Sequence, residues 1–570
     1  MKSATTPWAF LDEYRGTYFT GEWPTLPEMF RITTKRYGDR PCFTIYEGDE
    51  RISLTYNEAL KKIEAVSRWL YAQGIRKGDK VAVTGKNSPE WAVAYLGILF
   101  AGATVVPIDY QLKQEEIELL IKTADVNILF VDEEKHGRFV EQPGQLKTII
   151  SLKKGVGTYI YDLDGPEANI EQAAETDLAA ILFTSGTTGN PKGVMLTHKN
   201  LVSDCYIAQS NLNIYHTDVF YALLPIHHSY TMLAVFIEAL SVGAEIVFGK
   251  RIVTKAILKD LKEAQVTMFL GVPMLFNAVL NGIMKGIKAK GPIIYGLIRM
   301  LMSISGFIKK VFKVNPGKKM FHSILDKASL SSIRICISGG GPLAPSIFKQ
   351  YNQLGIDFVQ GYGLTETSPI IALNPVDHYK ETSVGKVLPQ TDLRILNPNE
   401  QGIGEIIVKG PMVMQGYYKM PEETRETFTE DGYLKTGDLG YLDSEHYLYL
   451  TGRAKNMIVT EGGKNVYPEE IENEFQLYSE IEQILVRGFL IDPKMKTEGI
   501  EALVYPNQEA FKDSVGALRP KEEIKQRIEA IIAEVNQRLK PYQKIERVTV
   551  LDEPMEMTTT KKIKRNALKL

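Results

Sequence analysis

Between Lys80 and about Gln353 short apolar runs alternate with longer stretches of helical period. KVAVTG, NILFVD, TIISL, AAILFT, VFYALL, EIVFG, TMFLG and IRICISG have the length and β-branched content of buried strands. Strand and helix patterns in turn predict parallel sheets covered by helices. The longest apolar run, Trp91 to Ile108, contains Gly97, Gly102 and Pro107 and is short for a bilayer. It predicts a buried helix passing into the strand ATVVPI. From Thr391 the texture changes to short strands and turns, TDLRIL, GEIIVKG and YLYLTG, which predict a small β-rich subdomain closing the large one. A boundary near Gly452 follows. Beyond it NMIVT, IEQILVRG, EALVYP, a helix from Lys521 to Leu539 and a basic tail are enough for a compact domain. The fold expected is α/β: residues 1–452 form a large domain of parallel sheets flanked by helices with the β-rich subdomain, and residues 453–570 a small α/β domain.

Composition narrows the function classes. The 570 residues exceed one typical core, and 44% apolar content is ample for two. A net charge of −2 argues against a general nucleic-acid binder. Cys42, Cys205 and Cys336 are scattered, giving neither a disulfide framework nor a metal-ligand cluster, which fits a reducing cytosol. The stretch MKSATTPWAFLDEYRG lacks the apolar core of a signal peptide, so a cytoplasmic location is expected.

The densest chemical signal is TSGTTGNPKG, Thr184 to Gly193. Gly186, Gly189 and Gly193 let backbone approach phosphate oxygens, Thr184, Ser185, Thr187 and Thr188 supply hydroxyl donors, and Lys192 a compact positive charge. AAILF before it reads as a strand and HKNLVSDCYIAQ after it as a helix. The spacing is not that of a Walker A loop, because Gly186 and Gly189 are too close and Gly193 follows the lysine. Four further motifs follow in order: ISGGGPL from Ile337, QGYGLTET from Gln360, YLKTGDLG from Tyr433, and GRAKNMIVTEGGKNVYPEEIE from Gly452 to Glu472.

From about Phe30 to Lys564 this series resembles the AMP-forming acyl-CoA synthetases of the adenylate-forming superfamily, closest in character to long-chain fatty acid CoA ligases. The resemblance implies ATP, Mg²⁺ and coenzyme A as reaction partners of a fatty acid. Lys192 and the residues around it would orient the β- and γ-phosphates. Glu366 would be the magnesium-linked carboxylate and Thr365 a phosphate donor. Tyr362 would stack on adenine over the backbone of Gly340, Gly341 and Pro342, and Asp438 would accept the ribose hydroxyls with Arg453 assisting. His228, in LPIHHSY, matches the family's acyl-site histidine. A zinc pair with His227 is unfavoured, since adjacent strand residues point to opposite faces and no third ligand is close in sequence. In TTTKKIKR the alignment through Ile563 and Arg565 makes Lys562 the catalytic lysine, with Lys561 the competing choice. Lys455, two after the GR arginine, would be the hinge about which a mobile C-terminal domain withdraws Lys562 and brings the face around Gly462 to a pantetheine tunnel.

Residues 277–325 stand apart, with nine Lys or Arg and no Asp or Glu interleaved with GPIIYGLIRMLMSISGFI. Two readings fit: a basic amphipathic helix on an anionic membrane, giving peripheral association, or a helical hairpin with a solvated basic face. No obligate protein partner is inferred. Competing functions are an adenylating enzyme that loads a carrier protein, a P-loop kinase or ATPase that releases ADP, and a non-catalytic nucleotide or lipid binder.

Overall fold

The computed structural model describes residues 6–184, 191–250, 253–460, 464–492, 497–513, 516–558 and 563–565. Two large sheets carry the molecule. One has seven strands in the order Gly416–Tyr417, Lys192–Thr197, Leu178–Thr184, Thr104–Ile108, Lys80–Thr84, Ile128–Val131, Thr148–Ser151. Its last five strands are parallel and its first two antiparallel.

The other sheet has thirteen strands. Its parallel part runs Asp357–Gly363, Ile335–Ser338, Met268–Gly271, Val219–Ala222, Glu245–Phe248, Pro41–Glu47. Beyond Asp357–Gly363 the pairing turns antiparallel through Ile370–Leu373, Gly385–Val387, Tyr447–Arg453, Leu434–Leu442, Gly404–Lys409 and Asp392–Leu396. The change of texture at Thr391 therefore marks the middle of an antiparallel ladder that begins near Ile370 and is hydrogen-bonded to the parallel sheet. Length explains why the earlier strands escape a pattern reading: Gly385–Val387 spans three residues.

One apolar core joins both sheets. It holds Val81, Val105 and Leu182 from the smaller sheet, Phe43, Ile246 and Val359 from the larger, and the helices Pro89–Phe100 and His198–Ala208 and the helical run 229–242. Pro89–Phe100 is buried at every position but Glu90, as its otherwise continuous apolar sequence requires; it leads into the strand Thr104–Ile108 as the pattern predicts. A second core lies on the other face of the larger sheet, under the helices Pro273–Lys288, Pro292–Phe312 and Pro345–Gln353. The residues after Ile458 have a core of their own, built from Ile471, Val486, Val504, Ile528 and Ile531. It is enclosed by the strands Ile481–Asp492, Thr497–Pro506 and Arg547–Val550 and the helix Lys521–Asn536.

Several cations of the basic segment have partners within the protein. Lys309 is buried, with Nζ 2.6 Å from both Asn352 Oδ1 and Asp357 Oδ1. Lys310 pairs with Glu381, Lys313 donates to the Asp377 carbonyl, Lys318 to the Ile333 carbonyl, and Arg299 to Gln350. Many of the cations of this segment thus face protein, while Ile294, Leu297 and Phe307 face outward.

Candidate active site

A cavity of about 2810 Å³ reaches from the C-terminal ends of the central strands to the region after Gly452. Thr184 ends one strand and Lys192 opens the next, the two being paired in register, and both line the cavity. The phosphate motif is therefore flanked by two paired antiparallel strands, and not by a strand and a helix. The cause is KGVMLT, whose Val194 and Leu196 are buried in the sheet before Thr197 accepts the Asn200 N–H (3.0 Å) and starts the helix. Ser185, Gly186, Thr187, Thr188 and Gly189 lie outside the described residues.

Strand pairing brings the magnesium-type carboxylate to this strand pair. Gly416–Tyr417 pairs with Val194 and Met195. The Tyr417 hydroxyl donates to Glu366 Oε1 at 2.9 Å, and Lys192 Nζ sits 4.7 Å from the Tyr417 ring centroid. Burial, reinforced by the Glu366 charge, pushes the Tyr417 phenol well above its ordinary range, so it remains a donor. Sequence reading missed Tyr417: GYY after an apolar run carries no chemical signature, and only the sheet register places it here.

Thr365 Oγ1 lies 3.1 Å from Ser229 Oγ, which joins the LTET and HHSY motifs. His228 lines the cavity, as does His227, and their rings pack 4.4 Å apart. They are not on a strand, because the strand ends at Ala222 and Pro225 intervenes, so the alternation argument against a pair does not apply. A third group is also present: Asp109 Oδ1 is 3.5 Å from His227 Nε2, and ligand atoms of Asp109, His227 and His228 all lie within 4.8 Å of one another. Asp109 comes from the loop after Thr104–Ile108, too distant in sequence for a spacing argument to find.

The residues expected to hold the nucleoside line the same cavity. Gly340 has φ +77°, a conformation that favours glycine, and Gly339 is needed for space, since a Cβ there would sit 2.8 Å from the Tyr230 ring. Gly340, Gly341 and Pro342 line the cavity wall, and Tyr362 lines it beside them. The Tyr362 hydroxyl donates to Asp438 Oδ2 at 2.7 Å, while Arg453 Nε donates to Asp438 Oδ1 at 2.8 Å across the paired strands. Each carboxylate oxygen keeps a second lone pair, so Asp438 can still accept two ligand hydroxyls. Burial, then the Asp438 charge, pushes the Tyr362 phenol far up.

The chain after Gly452 closes the cavity. Lys455, in the short turn Ala454–Asn456, lines it. Gln476 is the clasp: its Nε2 donates to the Pro342 carbonyl at 3.0 Å, its Oε1 accepts the Ala344 N–H at 2.8 Å, and its carbonyl accepts from Asn277 at 3.4 Å. Gly462, Lys561 and Lys562 lie outside the described residues. Their neighbours do not: Met557, Thr558 and Ile563 line the cavity, and Met557 pairs with Ile563 to close the loop that carries Lys562. Arg565 anchors it, donating to both Glu472 oxygens (2.7 and 2.6 Å) and to the Val486 carbonyl (2.9 Å). Burial pushes the Glu472 carboxyl up to about 7 against the pull of Arg565.

The cavity combines polar and apolar lining. Lys192, Thr184, Thr365, Glu366, Asp438 and Arg453 supply polar lining, and Leu212, Ile214, Ala234, Met268 and Ile337 apolar lining. Oxygen donors at Glu366 and Thr365 suit a hard cation, and the ammonium at Lys192 suits phosphate.

Residues 30–418 match the AMP-binding enzyme family model. The long-chain-fatty-acid–CoA ligase FadD15 of Mycobacterium bovis is 29% identical, over 93% of this chain and 93% of its own. The chloroplastic long-chain-fatty-acid–[acyl-carrier-protein] ligase AEE15 of Arabidopsis thaliana is 27% identical, over 86% of this chain and 77% of its own. The crystal structure of ATP-bound MatB from Rhodopseudomonas palustris superposes with a TM-score of 0.74 at 26% identity, over 95% of this chain and 98% of that one. With more than half its length matched by the family model and the same fold throughout, the chain belongs to the AMP-binding enzyme family.

Proposed function

We propose that this protein is an ATP-dependent fatty acid–CoA ligase of the AMP-forming type. A carboxylate is a poor electrophile, because it is anionic and would have to expel oxide. Attack of its oxygen on the α-phosphorus of ATP, with loss of pyrophosphate, converts it to an acyl-adenylate. The sulfur of coenzyme A then attacks the acyl carbonyl, its proton passes to solvent, and AMP leaves. The first step brings two anions together, so it depends on preorganised cations and donors.

In this reading Lys192, with Thr184, Ser185, Gly186, Thr187, Thr188 and Gly189, holds the departing phosphates, and Thr365 donates to them. Asp438 and Arg453 hold the ribose, and Tyr362 with Gly340, Gly341 and Pro342 the base. A magnesium ion, which Glu366 would ligate, offsets phosphate charge when bound. His228 borders the reacting carboxylate, and Lys562 contacts it from the tail. Residues 1–452 and 453–570 act as separate domains hinged at Lys455, which would exchange Lys562 for the face around Gly462 in the second step. Peripheral contact with an anionic membrane through residues 277–325, on the cytoplasmic side, belongs to the same reading.

The observation that carries it is the single cavity lined both by the groups expected to hold phosphate and ribose and by apolar side chains. Fatty-acid-dependent pyrophosphate release across graded chain lengths tests it, with coenzyme A and a phosphopantetheinylated carrier protein as alternative acceptors. AMP and acyl-CoA are the expected products. ADP, or no pyrophosphate with any acid, would reject the ligase, and transfer to the carrier protein alone would assign the acceptor that AEE15 is named for.

A further inference from the structure

The helical run 229–242 presents one face to the cavity. Tyr230, Ala234 and Glu238 recur every four residues, and all three line it. A four-residue repeat drifts by about 40° per step on an α-helix; the wider π turn over Met232–Ile237 offsets that drift. This face ends on a carboxylic acid. Glu238 is 2% exposed, and its Oε2 is buried without a hydrogen-bond partner among the described residues. Leu212, Ile214 and Ala234 line the same cavity.

The fold around Glu238 does not answer it. Ser241 Oγ donates to the Glu238 carbonyl and accepts from Gln209 Nε2, both at 2.8 Å, so that hydroxyl is engaged. The ionisable group that acts on Glu238 is a second buried acid, Asp204, whose Oδ2 accepts the Ile370 N–H at 2.9 Å and whose Oδ1 is also unpartnered among the described residues. Burial, with Asp204 adding to it, pushes the Glu238 carboxyl well above its ordinary value, so it stays protonated at neutral pH. A protonated carboxyl has one O–H to donate and oxygen lone pairs to accept. A ligand hydroxyl satisfies both roles, whereas a plain hydrocarbon chain leaves both unmet. An ammonium would require Glu238 to ionise and would carry a charge among apolar side chains.

Glu238 follows His228 by ten residues, up to about 15 Å along the helical axis. A substrate whose carboxylate borders His228 therefore reaches Glu238 with a distant part of its chain. We propose that Glu238 is a specificity residue that binds a hydroxyl on the acyl chain remote from the carboxylate, which makes a hydroxylated fatty acid the preferred substrate. Recognition of the hydroxyl follows from the cavity; only its distance from the carboxylate rests on the ligase reading.

Two measurements on the full chain test this: calorimetric binding, and ATP-dependent pyrophosphate release, for ω-hydroxy fatty acids of graded length against the matched unsubstituted acids. Lengthening the chain moves the hydroxyl along the cavity. At one length the hydroxy acid binds about tenfold or more tighter than its plain counterpart, with kcat/KM higher by a similar factor, and the preference falls away at shorter and longer lengths. Glu238→Leu inverts the order, improving the plain acid and weakening the hydroxy acid, a pattern that misfolding does not produce. Glu238→Gln still donates and accepts, and keeps the preference for the hydroxyl. Equal binding of both acids at every length, or a preference that survives Glu238→Leu, overturns the proposal. So does an ω-amino acid bound in preference to the hydroxy acid, which would assign an ionised Glu238 and an ammonium ligand. Hydroxyl-selective binding with no pyrophosphate from any acid would reject the ligase reading and leave the specificity of Glu238 standing; pyrophosphate release without selectivity would do the reverse.

Discussion

At the scale of single residues the decisive feature is how polar groups are held in fixed roles by one partner. Arg565 illustrates it, since its guanidinium spans Glu472 and the Val486 carbonyl and so fixes the loop that carries Lys562. Arg565→Ala and Lys562→Ala should share a phenotype: acyl-adenylate formation falls, by roughly 1–3 kcal/mol for the lost charge-assisted anchor and ~2–4 kcal/mol for the lysine. Conversion of supplied acyl-adenylate to acyl-CoA should persist in both. Near-normal adenylation in Lys562→Ala with loss in Lys561→Ala would transfer the role to Lys561. A second residue governs acid stability. His198 is fully buried at the start of its helix, Nδ1 accepting the Leu26 N–H at 3.2 Å, and burial pulls its imidazole down to about 4 although Asp177 partly counters. The unfolded chain takes up a proton near pH 6.5 and the folded one only near 4, so this contribution is complete above 6.5 and is lost as pH falls towards 4. The loss should be about 3 kcal/mol, read as a drop in urea midpoint between pH 7 and 4 that His198→Asn diminishes.

At the scale of elements, close approach and register position the site. The helices Tyr56–Ala72 and Pro89–Phe100 meet at Gly97, where a Cβ would lie 2.6 Å from Val66 Cγ1 and 2.8 Å from Val66 Cβ. Gly97→Ala should cost ~1–3 kcal/mol by overpacking, and adding Val66→Ala should restore part of it. Equal urea midpoints for wild type and Gly97→Ala would mean that the helix pair yields. Register does the rest: the hairpin Leu178–Thr184 with Lys192–Thr197 accepts Gly416–Tyr417 on its edge, which sets Tyr417 between Lys192 and Glu366.

At the scale of the molecule, the cavity is shared between parts with separate cores, and Gln476 is a small clasp between them. Its three neutral hydrogen bonds, to Pro342, Ala344 and Asn277, are worth about 1 kcal/mol each, little enough for a rotation at Lys455 to break and remake. Lys455→Pro fixes φ and should trap one orientation. With the tail loop at the cavity, adenylation is the half-reaction expected to survive, and assays of each half-reaction separately check it. Equal loss of both would indicate misfolding instead.

Local chemistry and periodicity were enough to place the strands from Lys80 to Ser338 other than Lys192–Thr197, the buried helix after Pro89, and the motifs whose Lys192, Gly340, Tyr362, Glu366 and Asp438 line one cavity, because each depends on its own neighbours in the chain. Tertiary structure alone decided the groups that depend on pairing across distance. The strand pair flanking the phosphate motif, Tyr417 beside Glu366, Asp109 beside His227 and the clasp at Gln476 come from sheet register and contact between cores. It also decided which groups of the basic segment find partners in the protein. Charge counting cannot tell which side of a helix faces its own protein, and here Asn352, Asp357, Asp377 and Glu381 draw lysines inward and leave Ile294, Leu297 and Phe307 outside.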